Sequence, residues 1–351
     1  MTTTSRGTTT TGTTTTTSRE IRLAARPVGE PAPGNFVLAT TGVPEPGEGE
    51  ILVRNTWMSV DPYMRGRMNE GHSFIAPFEI GAPLEGAAIG EVIASRAASV
   101  PVGATVSHFL GWREYAVLDA GAATVVDTSL APPEAYLGPL GTTGLSAYVA
   151  LTRTAPVRPG DVVFVSAAAG AVGSVAGQLA RKLGASRVIG SAGGPLKTEK
   201  LIDAFGFDAA VDHRRGRLAE QLDRAAPGGI DVYLDSVAGD HLEAAIGAMR
   251  EDGRIAMVGA ISTYNATEPV PGPHNLFEAA AKEVTLRGMV ISRHLDLFPE
   301  WITKAVPWLA DGTLRTETTV VEGIERAPDA FLGVLRGANT GKMLVRLGET
   351  R

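Results

Sequence analysis

At 351 residues the chain exceeds one ordinary core, so two domains are expected, and 44% hydrophobic with 20% charged residues is the content of a folded globular protein. A formal net charge of −6 and a sequence pI of about 5.6, with no dense basic run, argue against nucleic acid or an anionic membrane as the main partner. The absence of cysteine rules out disulfides, thiolate nucleophiles, iron–sulfur clusters and cysteine-held zinc, and no stretch reaches the ~20 apolar residues of a membrane span.

Residues 1–18 are almost all Thr, interrupted by Ser5, Arg6, Gly7 and Gly12. Without an apolar stretch this is neither a signal peptide nor an amphipathic transit helix; a disordered tail on a cytoplasmic protein is expected. From Arg19 to residue 137, short β segments (Glu50–Asn55, Ala87–Ser95, Glu114–Val117) are punctuated by Pro44, Pro46, Gly47, Gly71 and Gly103, which predicts a compact, mainly β domain. After 138 the rhythm changes. Strand Val162–Val165 leads into helix Ala171–Leu183, with Val172, Val175, Ala176, Leu179 and Leu183 on one face. Strand Arg187–Gly190, helix Lys197–Phe205, strand Ala209–Val211, helix Leu218–Ala225, strand Asp231–Leu234, helix His241–Met249 and strand Arg254–Val258 follow. Alternating strands and helices predict an α/β fold, a doubly wound parallel sheet with right-handed crossovers, over 138–305. Residues 306–351, with β character at Met343-Leu344-Val345, are expected to rejoin the first domain.

The passage richest in chemistry follows the first strand of the second domain: Ser166-Ala167-Ala168-Ala169-Gly170-Ala171-Val172-Gly173, then Gly177. Gly170 lets backbone approach a pyrophosphate, Gly173 lets the helix pack closely on the sheet, and the first-turn N–H groups face the anion. Ala168 stands where the commoner fingerprint has its first glycine. About 20 residues further on, where NAD-binding folds place a carboxylate for the ribose hydroxyls, the chain has Ser191-Ala192-Gly193-Gly194. A 2′-phosphate meets no repulsion there. Lys197 can pair it, and His213 and Arg214 can add hydrogen bonds or charge, so NADPH is expected over NADH.

Three further segments carry a resemblance: Ser59-Val60-Asp61-Pro62-Tyr63-Met64-Arg65, Leu140-Gly141-Thr142-Thr143-Gly144-Leu145-Ser146-Ala147-Tyr148, and Gly259-Ala260-Ile261-Ser262-Thr263-Tyr264-Asn265. Together with Ala167–Gly177 they resemble the zinc-independent medium-chain reductases, the group of prostaglandin reductases, bacterial curcumin reductases and plant alkenal double-bond reductases, over nearly all of 19–349. The resemblance implies a GroES-like β-rich catalytic domain, a Rossmann domain, a homodimer, and NADPH-dependent reduction of the carbon–carbon double bond of enals or enones. It also implies a cofactor site: Gly170, Ala171, Val172 and Gly173 at the pyrophosphate and Lys197 at the 2′-phosphate. Gly259, Ile261, Ser262 and Tyr264 fall at the nicotinamide half, and Gly194, His213, Ser236, Met289, Val290 and Asn339 complete the lining. Four positions depart from the pattern. His213 stands for a usual tyrosine, Ser236 for a common asparagine, and Thr142-Thr143 for Met-Pro.

Zinc alcohol dehydrogenases polarise the substrate oxygen with a metal held by cysteine and histidine, a route this composition does not supply. The six histidines (His72, His108, His213, His241, His274, His294) are dispersed without ligand spacing, and no metal is expected. Conjugate reduction needs instead a donor for the negative charge that moves to the carbonyl oxygen. Tyr264, on a loop after a strand's carboxyl end, is the candidate donor; the alternatives are a packing tyrosine, and the cofactor's own ribose hydroxyl sharing or taking the donor role. Tyr63 is the second candidate, lining the pocket or packing in a turn, and Arg65 reads as structural. Two rival functions stay open: an NADPH:quinone reductase, and a non-catalytic NADPH-binding sensor or structural protein.

Overall fold

A computed structural model of the chain describes residues 17–71 and 75–348. His72 and the first sixteen residues of the Thr-rich segment lie outside them. Thr17 and Ser18, placed in the tail by composition, instead open strand β1 (Thr17–Leu23), which pairs antiparallel with β2 (Phe36–Gly42). The reason is burial on both faces. Ser18 and Glu20 are buried on the face opposite to Ile21 and Leu23, and the Ser18 hydroxyl accepts the Tyr115 N–H at 3.2 Å, so both faces have partners and the pairing with β2 runs back to Thr17.

The first domain continues with β3 (Glu50–Ser59), helix α1 (Met64–Arg67), β4 (Ala88–Ser95), β5 (Thr105–His108), β6 (Tyr115–Asp119) and β7 (Thr124–Val125). β3 is its axis, antiparallel to both β4 and β6. Ile51, Val53, Asn55 and Trp57 alternate inward, and from Trp57 to Ser59 both faces are buried. The second domain then runs α2 (Thr142–Val149), β8 (Val162–Val165), α3 (Ala171–Lys182), β9 (Arg187–Ala192), α4 (Pro195–Asp203), β10 (Ala209–Asp212), α5 (Leu218–Ala225), β11 (Ile230–Asp235), α6 (Asp240–Ala248), β12 (Met249–Met257), α7 (Leu276–Ala281), β13 (Thr285–Gly288) and α8 (Phe298–Ala310). Among the described residues its sheet has the all-parallel order β10-β9-β8-β11-β12-β13. All four β8 residues are buried, because helices cover both faces. Val163 and Val165 pack under α2, α3 and α8; Phe164 faces the other way, stacked on Tyr233 at 5.0 Å under α5 and α6.

The return to the first domain comes later than 306. The spacing of Trp301, Ala305 and Leu309 carries α8 to Ala310, and Val306, Trp308, Leu309 and Leu314 pack on the second domain's core. The crossing is made by β14 (Thr318–Glu322), α9 (Ala327–Leu335) and β15 (Lys342–Arg346), with β15 antiparallel to β3. Helix starts also shift from the sequence reading. α4 begins at Pro195, whose fixed φ suits the first helical position, and Met249 belongs to β12 rather than to the preceding helix.

Candidate active site

In the parallel sheet β9 and β11 flank β8, and connections leave β8 and β11 in opposite directions. A crevice therefore opens at the strands' carboxyl ends, where ligands of such sheets bind. The 166–170 loop crosses that crevice. Ala167, not Ala168, takes the left-handed conformation (φ +46°), and its carbonyl accepts the Gly170 N–H at 2.9 Å. The tight turn thus sits one residue earlier than the glycine pattern places it. Gly170 caps α3 in extended conformation, leaving the N–H groups of Ala171, Val172 and Gly173 at the open helix end. A Cβ on Gly173 would lie 2.5 Å from the Ala167 carbonyl, and one on Gly177 2.0 Å from the Phe207 ring. Both glycines allow α3 to lie close on the sheet.

The ends of β9 and β10 build a cationic corner. Gly194 (φ +90°) precedes α4, and its N–H donates to Asp212 Oδ1 at 2.8 Å; the same oxygen accepts the Arg214 N–H at 3.1 Å. Asp212 so turns the chain to lay Arg214 across Gly193, where a Cβ would stand 2.8 Å from Nε. Lys197 Nζ donates to the Gly337 carbonyl at 2.8 Å. Its pKa is lowered by burial and by Arg214 and Lys200; that of His213 is lowered by desolvation, with Asp212 opposing and Arg214 and Lys197 assisting. Burial and the neighbouring positive charges both disfavour protonation of Lys197 and His213, and an anion placed at this corner offsets that cost. His213 also packs edge-on to His241 at 5.3 Å, and His241 Nε2 meets Ser191 Oγ at 2.9 Å.

The second half of the crevice is zipped together by backbone. Val258 and Gly259 N–H donate to the Asp235 carbonyl at 2.7 and 3.1 Å, Ile261 N–H to Ser236 O and Ser262 N–H to Val237 O, both at 3.2 Å. Met289 N–H reaches Met257 O at 3.0 Å, which puts Met289 and Val290 at the adjoining end of β13. Tyr264 folds back so that its hydroxyl oxygen accepts the Ala260 N–H at 3.3 Å, leaving the phenol proton for a ligand oxygen. Asn339 Nδ2 donates to Gly341 O at 2.7 Å, and Gly341 N–H donates to Ala169 O at 2.8 Å, so residues 337–341 lie along the glycine loop. A dinucleotide fits this arrangement: an open helix end lined by small residues, a cationic corner whose one neighbouring carboxylate, Asp212, is engaged by the Gly194 and Arg214 N–H groups, and a glycine-backed second half.

Tyr63 comes from the other domain, at the N-terminal end of α1 and packed against its core. Desolvation, then Asp61, push its pKa far above the ordinary phenol value, with Arg67 opposing. It therefore stays a neutral donor. Asp61 is held by the Ser59 hydroxyl and by Lys342, whose side chain is only 4% exposed. Sequence reasoning missed this pair and the Arg65–Asn265 contact at 3.1 Å, because each joins residues 200 or more positions apart. A lysine inside a strand of otherwise apolar character, Lys342-Met343-Leu344-Val345, was the available signal. Among the described residues no three His, Asp or Glu side chains group as metal ligands, and no helix is long and apolar enough to cross a membrane.

Comparison with known proteins follows the same lines. Residues 19–126 match a family model described as the N-terminal domain of oxidoreductase, and residues 171–311 one described as zinc-binding dehydrogenase. The NADPH-dependent curcumin reductase of Escherichia coli is 35% identical over 330 residues, covering 93% of this chain and 95% of that protein. The NADP(+)-dependent 2-alkenal reductase of Nicotiana tabacum is 36% identical over 311 residues, 88% of this chain and 90% of that one. The crystal structure of CurA from Vibrio vulnificus in complex with NADPH superposes with a TM-score of 0.90 at 37% identity, covering 95% of this chain and all of that one.

Proposed function

We propose, since this chain belongs to the zinc-independent medium-chain dehydrogenase/reductase family, that it is an NADPH-dependent reductase of the carbon–carbon double bond of α,β-unsaturated aldehydes and ketones. The observation that carries the reading is Tyr264, a phenol whose oxygen is anchored on the Ala260 N–H beside the nicotinamide-side backbone. NADPH supplies the hydride when bound. Gly170–Gly173 hold its pyrophosphate, Lys197 and Arg214 its 2′-phosphate, His213 and Gly194 border the adenosine, and Ser236, Gly259, Ile261, Ser262, Met289, Val290 and Asn339 line the rest. Tyr264 donates to the substrate carbonyl oxygen and stabilises the charge that collects there as the β-carbon is reduced. Tyr63, kept neutral, provides the opposite wall and a second donor.

The test is a panel of conjugated carbonyls and benzoquinones with NADPH and NADH. Enone turnover with NADPH, and a kcat loss on the order of 10²–10³ in Tyr264→Phe, is expected; faster quinone turnover, or full kcat in the variant, overturns the reading. We also propose a homodimer. β13 is an edge strand exposed throughout, its own Leu286 included, with Leu276 and Phe277 uncovered on α7, a surface suited to a second copy. A sedimenting mass twice the chain's 36.5 kDa checks it; a monomer refutes it.

A further inference from the structure

Arg65 is 2% exposed in α1, between Met64 and Met68, which are both fully buried. Its guanidinium donates four hydrogen bonds, none to a carboxylate: Nη2 and Nε to Gly29 O at 2.7 and 3.3 Å, Nη1 to Asn69 Oδ1 at 2.6 Å, and Nε to Asn265 Oδ1 at 3.1 Å. Burying a cation among neutral acceptors is costly, and a packing role would be met at less cost by another methionine. The acceptors explain the arginine. Gly29 belongs to the loop after β1, Asn69 to the turn after α1, and Asn265 to the other domain, next to Tyr264. Gly29 (φ +72°) also turns its Cα toward that loop, where a Cβ would stand 3.6 Å from Thr267 Cγ2. A planar fork presents five donors in a fixed geometry to three segments at once, where a lysine offers three from a single point.

We propose that Arg65 is a positioning residue: through Asn265 it docks the Tyr264 loop of the nucleotide domain onto the catalytic domain and so fixes the phenol over Gly259 and Ala260. The inference rests on the assignment of Tyr264 as donor. It gives the cleft a latch on the same loop as the donor, so the contact between domains and the placement of the donor are coupled. Arg65 acts through Asn265 and touches no reacting atom.

The experiment uses the full chain with NADPH and an enone, and compares Asn265→Ala and Asn265→Asp in the wild-type and Tyr264→Phe backgrounds. Asn265 is half-exposed, so its variants spare the buried arginine. Asn265→Ala is expected to lower kcat roughly ten- to hundredfold while leaving NADPH affinity unchanged, and Asn265→Asp, which still accepts from Arg65, to restore most of the rate. In the Tyr264→Phe background Asn265→Ala should cost little, because the donor it positions is gone. Equal fractional losses in both backgrounds, no loss in Asn265→Ala, or no rescue by Asn265→Asp each overturn the latch. If Tyr264→Phe is impaired and the losses multiply, only the latch fails; if Tyr264→Phe turns over at full rate, the donor assignment fails and takes the latch with it.

Discussion

Replacing Lys197 by methionine separates the two nicotinamide dinucleotides. The ammonium of Lys197 spends one donor on Gly337 O, and two remain to meet a 2′-phosphate. A hydrogen bond between charged partners contributes about 1.5–3 kcal/mol, so Lys197→Met should weaken NADPH roughly ten- to 150-fold at about 1.4 kcal/mol per decade. The lost bond to Gly337 loosens residues 337–341 for either dinucleotide, so the ratio of the two affinities isolates the phosphate. Arg214 lies against Gly193 on the same corner, and a residual preference for NADPH should persist in the single variant and vanish when Arg214→Ala is added. Titration calorimetry with NADPH and NADH at one fixed salt concentration reads all of this. Equal losses for both dinucleotides would refute the reasoning, since Lys197 would then be holding the fold rather than reading the phosphate.

Two further outcomes concern the scaffold. Gly177→Ala puts a methyl 2.0 Å from the buried Phe207 ring; overpacking of about 1–3 kcal/mol outweighs the ~1 kcal/mol gained in helix propensity, so the thermal midpoint should fall, and a rise would show that Phe207 moves freely. His108 supplies a pH dependence. Its ring accepts the Leu110 N–H at Nδ1 (3.1 Å) and donates from Nε2 to Asn55 Oδ1 (2.8 Å), an arrangement for the neutral ring, and burial, then Arg113, push its pKa down to about 4. Because the folded value lies below the ordinary 6.5, the unfolded chain binds the extra proton between them. The contribution is complete above that ordinary value and is lost as pH falls toward about 4, by up to about 3 kcal/mol. Urea midpoints at neutral and acidic pH should diverge less in His108→Gln; an unchanged divergence sinks the assignment.

What was legible in the chain is what is local. Strand β8, the glycines and helix α3 follow one another within a few residues, so their spacing reports their packing directly: Gly173 and Gly177 stand where backbone and Phe207 leave no room for a Cβ. The missing carboxylate at Ser191–Gly194 was equally plain. The left-handed turn at Ala167 was not, because an alanine in that conformation is held by its surroundings and carries no residue-type signal. Nor were Arg65–Asn265 and Asp61–Lys342, whose partners meet only after the two domains have formed. Nor was the end of the nucleotide domain: the β character of Met343-Leu344-Val345 suggested a return from 306, whereas α8 runs on to Ala310.

Residues 337–342 deserve a last consequence. They supply Gly337 to Lys197, Gly341 to the glycine loop and Lys342 to Asp61. One short connection thus ties the cationic corner, the phosphate turn and the catalytic domain's Asp61 into a single wall of the crevice. A chain nicked by protease within it should keep its parallel sheet yet retain NADPH poorly.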